Sequence, residues 1–217
     1  MSLFRLDASI RPQGSASREI ADIVEREWRA GNPDAPVTRR HVGIEPLPAT
    51  AWASGVSAML TPADQRTPEQ AEAAALAAAL ADELIDAEAL LFAVPLYNYG
   101  VSQHFKAYVD MVLTDPRIGV HGDRPLAGKP AVLVTVRGGN YSAGAPREGW
   151  DHATAWMRRI LADVWQLDLR VVQREFTLVG VDPHLDQFAD VAAELKATAL
   201  REATEHGRLL SSARSAA

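Results

Sequence analysis

Three serines near the start of the chain, Ser9, Ser15 and Ser17, surround the start of a helix predicted from about Ser15 to Ala30. Hydroxyl groups beside the free backbone N–H groups of a helix start suit a phosphate, and the helix dipole adds a modest attraction. The segment lacks both the G-x-x-x-x-G-K-[ST] pattern of a nucleotide P-loop and the G-x-G-x-x-G pattern of a dinucleotide fold. It favours a phosphate monoester; the alternative is that Ser15 or Ser17 only caps the helix.

A second candidate segment is Pro95-Leu96-Tyr97-Asn98-Tyr99-Gly100, which follows the apolar run from Ala89 to Val94. Its two tyrosines can pack against a planar ring, and Asn98 can donate and accept hydrogen bonds at the polar edge of that ring. Pro95 would stiffen the turn. The alternative is that both tyrosines pack the loop onto the core, because tyrosine is often half-buried.

A third segment, Arg137-Gly138-Gly139-Asn140-Tyr141, follows another apolar run, Pro130 to Val136. Two successive glycines allow backbone N–H groups to approach a ligand closely. A plain turn between a strand and a helix would look the same. Arg137 could offset charge near a ligand or lie on the surface.

Several classes of function are disfavoured by composition. The chain has 217 residues, no cysteine and a net charge of −6, which excludes thiolate sites and disulfides and argues against nucleic acid as a partner. The six histidines show no metal-ligand spacing and H-E-x-x-H is absent, so we expect no metal site, although His104 follows the second segment closely. Ser142 does not lie in a G-x-S-x-G elbow, which disfavours a serine hydrolase.

The elements that must position these segments alternate along the chain. Apolar runs predict five strands, at Leu3–Ala8, Val37–Val42, Ala89–Val94, Pro130–Val136 and Leu169–Val179. Helices are predicted between them and after the last, at Ser15–Ala30, Thr67–Asp86, Val101–Val112, Asp151–Leu167 and Asp182–His206, with a short one around Ala51–Leu60. This order predicts a parallel sheet covered by helices on both faces. All three candidate segments then lie at its carboxyl edge, where open α/β folds bind ligands.

The expected organisation is one domain over residues 1–210, with a disordered tail at 211–217. The N-terminus does not resemble a signal peptide, because charge interrupts its apolar run. No apolar run reaches the roughly 18 residues of a membrane helix. We therefore expect a soluble cytoplasmic protein that does not bind membranes.

Together, the three segments resemble the FMN-dependent NADH–azoreductases, a quinone-reductase-like family with the flavodoxin-like fold. Members show a Ser…Ser-x-Ser first segment, a P-[ML]-Y-N-[FY] second segment and a [ST]-R-G-G third segment. This chain has Ser9…Ser15-Ala16-Ser17, Pro95-Leu96-Tyr97-Asn98-Tyr99 and Val136-Arg137-Gly138-Gly139. The helix start at Thr67-Pro68 and the Lys106-x-x-x-Asp110 pattern are also similar, and the resemblance covers residues 3–205. Val136 departs from the pattern, because a hydroxyl usually stands there.

The resemblance implies an α/β/α sandwich around a doubly wound five-stranded parallel sheet in the order 2-1-3-4-5. It also implies that Ser9, Ser15, Ala16 and Ser17 hold the FMN phosphate. Pro95 to Tyr99 would line the isoalloxazine ring, and Val136, Arg137, Gly138 and Gly139 would close its far edge. Residues 140–145 and 115–126 would shape the substrate mouth.

The implied activity is a two-step oxidoreduction in which NADH or NADPH reduces bound FMN and a quinone or azo compound then accepts two electrons. The cofactor carries this chemistry, so no protein residue is expected to be catalytic. The family forms homodimers, and the Val101–Val112 helix and the 115–126 loop are the expected contacts. Two alternatives remain, a flavodoxin-like electron carrier without its own turnover and a hydrolase that uses Ser142.

Overall fold

A computed structural model of the chain describes residues 1–119 and 122–213. Six strands form one sheet: β1 (Leu3–Asp7), β2 (Val37–His41), β3 (Ala89–Tyr97), β4 (Gly100–Val101), β5 (Pro130–Val136) and β6 (Asp168–Arg174). The α-helices are α1 (Ala16–Gly31), α2 (Ala51–Met59), α3 (Pro68–Asp86), α4 (Gln103–Val112), α5 (Thr154–Arg158) and α6 (Ala189–Ser212). A π-helical turn, Arg159–Val164, continues α5, and short 3₁₀ helices span Ala63–Gln65 and Pro183–Phe188.

The sheet order is β2-β1-β3-β5-β6, and all of these neighbours are parallel. The two-residue strand β4 folds back antiparallel onto β3. If β4 is set aside, the order matches the predicted 2-1-3-4-5, and the α/β fold class is confirmed. The expectation of five strands was incomplete, because β4 is too short to leave an apolar run in the sequence.

Buried strands divide the apolar core into two layers. Along β3, Leu90, Phe92 and Val94 face one layer, while Leu91 and Ala93 face the other. Successive side chains of a strand point in opposite directions, so β3 contributes to both layers, and it is buried on both faces because helices cover both sides of the sheet. The first layer packs against α3, α4 and α5, and the second against α1 and α6.

Both ends of α3 are fixed by side chains. Thr67 and Gln70 form the predicted capping box at its start, with Gln70 N donating to Thr67 Oγ1 at 3.3 Å. At its end the buried Lys129 donates to the carbonyls of Leu84, Ile85 and Ala87. A cation at this end also complements the helix dipole. These contacts hold α3 against the sheet next to β3.

The crossing of α1 and α6 is close because glycine lies in it. A Cβ atom added to Gly207 would come within 2.7 Å of Val24 O and of Glu27 Cβ. The amide of Asn32 also donates to Ser211 Oγ at 3.1 Å, which joins the ends of the two helices. The second core layer therefore depends on the last helix of the chain.

Several predicted boundaries were wrong. β3 continues to Tyr97 instead of ending at Val94, and β6 ends at Arg174 instead of Val179. The helix expected from Asp151 begins at Thr154, and the last helix begins at Ala189 after a 3₁₀ turn. α6 extends to Ser212, two residues into the expected tail. Residues 214–217 of that tail and residues 120–121 of the predicted mouth loop lie outside the described residues.

Across the residues that the structure describes, none of the helices combines the length and apolarity needed to span a bilayer.

Candidate ligand-binding cleft at the carboxyl edge of the sheet

A cleft of about 190 Å³ lies at the carboxyl ends of β1, β3 and β5. Its lining includes residues of all three candidate segments: Ser9, Ser15, Ala16, Ser17, Pro95, Leu96, Tyr97, Val136 and Gly138. The topology therefore brings the three segments together, as their positions after parallel strands predict. Four lining residues were not predicted from the sequence: Arg11, Gly14, Thr177 and Leu178.

Ser15 combines the two roles that the sequence left as alternatives. It is the N-cap of α1, and its Oγ accepts a hydrogen bond from Arg18 N at 3.4 Å. It also lines the cleft, and its Oγ lies 3.2 Å from that of Ser17, with both residues buried. The first amide N–H groups of a helix have no partner inside the helix. Hydroxyls, amides and the positive end of the dipole thus converge on one wall, which suits an anion.

Arg18 fixes the backbone that leads into this wall. Its guanidinium donates to the carbonyls of Arg11 and Pro12, the latter at 2.8 Å, and lies 2.8 Å from His41 Nε2. These bonds connect the loop after β1 with the end of β2. Gly43 adds a close approach, because a Cβ atom there would lie 2.2 Å from Ser9 O. The loop is therefore held from two sides, and the exposed Arg11 brings positive charge to the cleft.

The second wall consists of Pro95, Leu96 and Tyr97, which are strand residues of β3 and not loop residues. The Tyr97 hydroxyl accepts a hydrogen bond from Ile10 N at 3.2 Å and lies 3.3 Å from Ser9 Oγ. It thus ties the second segment to the first. The ring of Tyr97 is partly buried, and its side chain lines the cleft.

Asn98 and Tyr99 form the two-residue turn between β3 and β4, with φ angles of 49° and 66°. Positive φ at both central residues is the conformation of a type I′ turn, and asparagine adopts it readily. Both side chains are exposed, and neither residue lines the cleft. The structure therefore places Asn98 at the rim and not in the wall.

The third segment contributes Val136 and Gly138 to the cleft. A Cβ atom at Gly138 would lie 2.7 Å from Leu178 Cδ1, so glycine permits close packing there. Gly139 lies outside the lining, and its carbonyl accepts from Phe176 N at 3.2 Å. Thr177 and Leu178, which were predicted to lie in a strand, lie in the loop after β6, and their amides donate to the carbonyls of Arg137 and Gly138. The serines were identified by a simple pattern, a polar loop that follows an apolar run. The same pattern would have identified Thr177 and Leu178 if the predicted strand had ended at Arg174.

Arg137 does not face the cleft, contrary to the expectation that it closes the ligand site. Its buried guanidinium lies between the carboxylates of Asp151, at 2.7 Å, and Glu175, at 2.8 Å. Burial raises the pKa of Asp151, but hydrogen bonds from Thr154 and the charge of Arg137 outweigh it and leave that pKa below its ordinary value. The side chain therefore organises the surrounding loop.

Other candidate sites have less support. Ser142 Oγ donates to Glu175 at 2.8 Å and not to a histidine, which removes the geometry of a serine nucleophile. His104 lies in the first turn of α4, half-buried. Two other clefts, of about 220 and 480 Å³, contain none of the residues expected to bind the flavin. Described residues of the 115–126 loop, which was expected to shape the substrate mouth, line these two clefts and not the candidate cleft. Within the described ranges there is no group of three or more metal-ligating side chains.

Comparison with known proteins relates the chain to redox flavoproteins. Residues 1–201 match the model of a family described by its flavodoxin-like fold. An FMN-dependent NADH:quinone oxidoreductase of Frankia casuarinae is 38% identical over 91% of this chain and 94% of its own. A similar enzyme of Kineococcus radiotolerans is 36% identical over 96% and 99%.

Solved structures agree with this fold. An azoreductase of Bacillus anthracis (Sterne) superposes with a TM-score of 0.79 at 19% identity, over 96% of this chain and 99% of the other. An FMN-dependent NADH-azoreductase of Bacillus anthracis (Ames Ancestor), solved in complex with FMN, has a TM-score of 0.75 at 14% identity, over 97% and 100%. The chain therefore belongs to the flavodoxin-like family that includes the FMN-dependent NADH:quinone oxidoreductases.

Proposed function

We propose that the protein is an FMN-dependent oxidoreductase that takes electrons from NADH or NADPH and passes them to quinones or azo compounds. One observation carries the proposal: Ser9 from the loop after β1, Ser15 and Ser17 at the start of α1, and the Pro95–Tyr97 wall all line the same cleft. Its relatives with 36–38% identity are named as FMN-dependent NADH:quinone oxidoreductases, which supports the same activity here.

The residues of the cleft fit FMN by the chemistry of their donors. Ser9, Ser15, Ser17 and the N-terminal amides of α1 would hold the phosphate, because hydroxyl and amide donors bind an anion at a helix start. Arg11 adds a positive charge that offsets the phosphate dianion. No P-loop lysine is needed for a monoester of this kind.

The isoalloxazine ring would lie along Pro95, Leu96 and Tyr97, with Val136 and Gly138 at its far edge. Asn98, at the rim, would hydrogen-bond the polar edge of the ring, and Tyr99, the other turn residue, would flank that edge. Arg137, which is bonded within the protein, and Gly139 would act only by holding Gly138 in position. When bound, FMN supplies the two-electron redox chemistry, and the protein orients it and tunes its electronics through hydrogen bonds. No acid–base side chain is required for this role.

The same proposal includes a homodimer. The cleft, at about 190 Å³, is smaller than the roughly 300–1,000 Å³ of typical ligand pockets. A cofactor held here would leave part of its ring system outside, and a second copy of the chain could cover it. Light scattering of the FMN-loaded protein tests this, and a purely monomeric protein would contradict it.

We also propose a cytoplasmic location, where reduced nicotinamide cofactors are available.

Purification followed by anaerobic reduction tests the activity. The protein is expected to be yellow or to take up FMN, to bleach on addition of NADH, and to regain its colour when a quinone is added. Comparison of NADH with NADPH sets the coenzyme preference. A protein that does not bind FMN would refute the proposal. A protein that binds FMN but is not bleached by NADH or NADPH would instead be an electron carrier.

A further inference from the structure

Three aromatic rings meet beside the cleft. The ring of Tyr99 packs edge-to-face on Trp150, with centroids 5.4 Å apart at 77°, and lies 6.4 Å from the ring of Tyr141. Tyr99 is 40% exposed and Trp150 is 49% exposed. Aromatic surface of this extent is costly to leave in water. Its position therefore calls for a functional account.

The cluster lies at the rim of the proposed cofactor site. Tyr99 follows Tyr97 by two residues, Tyr141 follows Gly138 by three, and both Tyr97 and Gly138 line the cleft. Trp150 joins them from the loop that precedes α5. Two of the three rings thus follow closely, in the chain, residues that line the cleft where β3 and β5 end, and the third, that of Trp150, packs against Tyr99.

The turn that carries Tyr99 is held in an unfavourable conformation. Its φ of 66° is in the left-handed region, which residues with a Cβ atom seldom adopt. The Tyr99 carbonyl accepts a hydrogen bond from His152 N at 2.9 Å, so the loop before α5 holds the turn in place. Strained backbone that its surroundings maintain is concentrated at ligand sites.

The other two rings are anchored by the ion cluster around Arg137. Asp151, next to Trp150, pairs with Arg137 at 2.7 Å, and Glu175 pairs with the same guanidinium at 2.8 Å. Glu175 also accepts from Tyr141 N at 3.3 Å. Both loop positions that present a ring are therefore attached to one buried cation. This rigidity is what a preorganised binding surface requires.

We propose that Tyr99, Tyr141 and Trp150 form an aromatic platform for the electron acceptor and that Trp150 is its specificity-determining residue. The platform rests on the proposed oxidoreductase function. It favours planar fused-ring acceptors over small or non-aromatic ones, because ring–ring contacts grow with the ring area that is buried. None of the three side chains carries a charge, so it discriminates by shape and area.

Trp150→Ala tests the platform in the FMN-loaded protein. We expect kcat/KM for menadione, a fused-ring quinone, to fall about five- to tenfold more than kcat/KM for ferricyanide, which has no ring to stack. Trp150→Phe is expected to restore most of the difference. Tyr141→Leu should also lower kcat/KM for menadione more than kcat/KM for ferricyanide. It replaces Trp150→Ala as the test if that variant does not fold. The matched control is Trp52→Ala, which removes a tryptophan 52% exposed on α2 and should leave the ratio unchanged.

A binding measurement supplies a readout that does not depend on turnover. Calorimetric titration of the oxidised FMN-loaded protein with naphthol, a fused-ring compound that is not an electron acceptor, should give a dissociation constant about five- to tenfold weaker in Trp150→Ala. If kcat/KM falls equally for menadione and ferricyanide and the affinity for naphthol is unchanged, the platform is overturned. The three rings then have only a structural role. If the unsubstituted protein binds no FMN or is not reduced by NADH or NADPH, the proposed function fails first, before any variant is compared.

Discussion

Ser15 combines capping and proposed phosphate binding in one hydroxyl, so a single substitution alters both. Its Oγ caps α1 and lies 3.2 Å from Ser17 Oγ inside the cleft. Loss of a cap typically costs about 1 kcal/mol of stability wherever the helix lies. Loss of a phosphate ligand, by contrast, discriminates between FMN and riboflavin, which differ only in the phosphate.

The double substitution of Ser15 and Ser17 by alanine should therefore weaken FMN binding by more than about a hundredfold and leave riboflavin affinity nearly unchanged, because two charge-assisted hydrogen bonds are lost and each contributes about 1.5–3 kcal/mol. Fluorescence titration of both flavins measures the difference. Thr67→Ala, which removes the cap of α3 far from the cleft, is the matched control. Equal losses for FMN and riboflavin would show a folding defect instead.

Asn98 offers a second test at the scale of one side chain. Asn98→Gly preserves the turn, since glycine adopts a φ of 49° without strain, and removes only the amide. We expect the melting temperature to stay within a few degrees, while the flavin binds more weakly or is reduced more slowly by NADH in stopped-flow measurements. Unchanged affinity and rate would remove Asn98 from the proposed site.

At the scale of elements, the sequence predicted the meeting of the three segments better than the ends of the strands and helices. The three segments could be located because apolar runs followed by polar or glycine-rich residues are visible without any structure. The extension of β3 through Pro95 to Tyr97 could not, because Pro95 is unusual inside a strand and suggested that the strand had ended. The side-chain direction of Arg137 was also unpredictable, since its carboxylate partners Asp151 and Glu175 lie 14 and 38 residues away in the chain.

The α1–α6 contact gives a prediction at this scale. Gly207→Ala places a methyl group where only 2.7 Å separates it from the backbone of Val24, so the helices must move apart. We expect a loss of about 1–3 kcal/mol in the free energy of unfolding, as for other overpacked cores, measured by urea denaturation. Glu194→Ala, on the exposed face of the same helix, should be nearly neutral. A stabilised Gly207→Ala protein would show that helix propensity outweighs the close approach.

At the scale of the whole molecule, one buried ion cluster joins β1, α1 and β2. Glu25 accepts hydrogen bonds from Arg5, Arg29 and Arg39. Burial raises the pKa of Glu25, but the bonds from the three guanidiniums outweigh it and lower the pKa from 4.5 to about 2. A carboxyl group with a depressed native pKa stabilises the fold above its unfolded pKa and loses that contribution as the pH falls.

Acid titration of stability tests this cluster. The difference in unfolding free energy between the natural protein and Glu25→Gln should be largest above a pH of about 4.5 and should shrink as the pH falls toward about 2. Urea denaturation at a series of pH values measures it. Glu205→Gln, at an exposed position of α6, should show a much smaller dependence. A difference independent of pH would mean that Glu25 acts by packing and not by charge.

The return of α6 to α1 also has a consequence for biosynthesis. Asn32 bonds Ser211 across 179 positions, and Leu210 completes the layer that covers Trp28 and Val24. A nascent chain that has reached only the residue before Ala189 would contain all the strands of the sheet, but one face would be covered by α1 alone. Folding on that side must wait for the final turns of α6 to emerge, and until then the exposed apolar face is a target for chaperones.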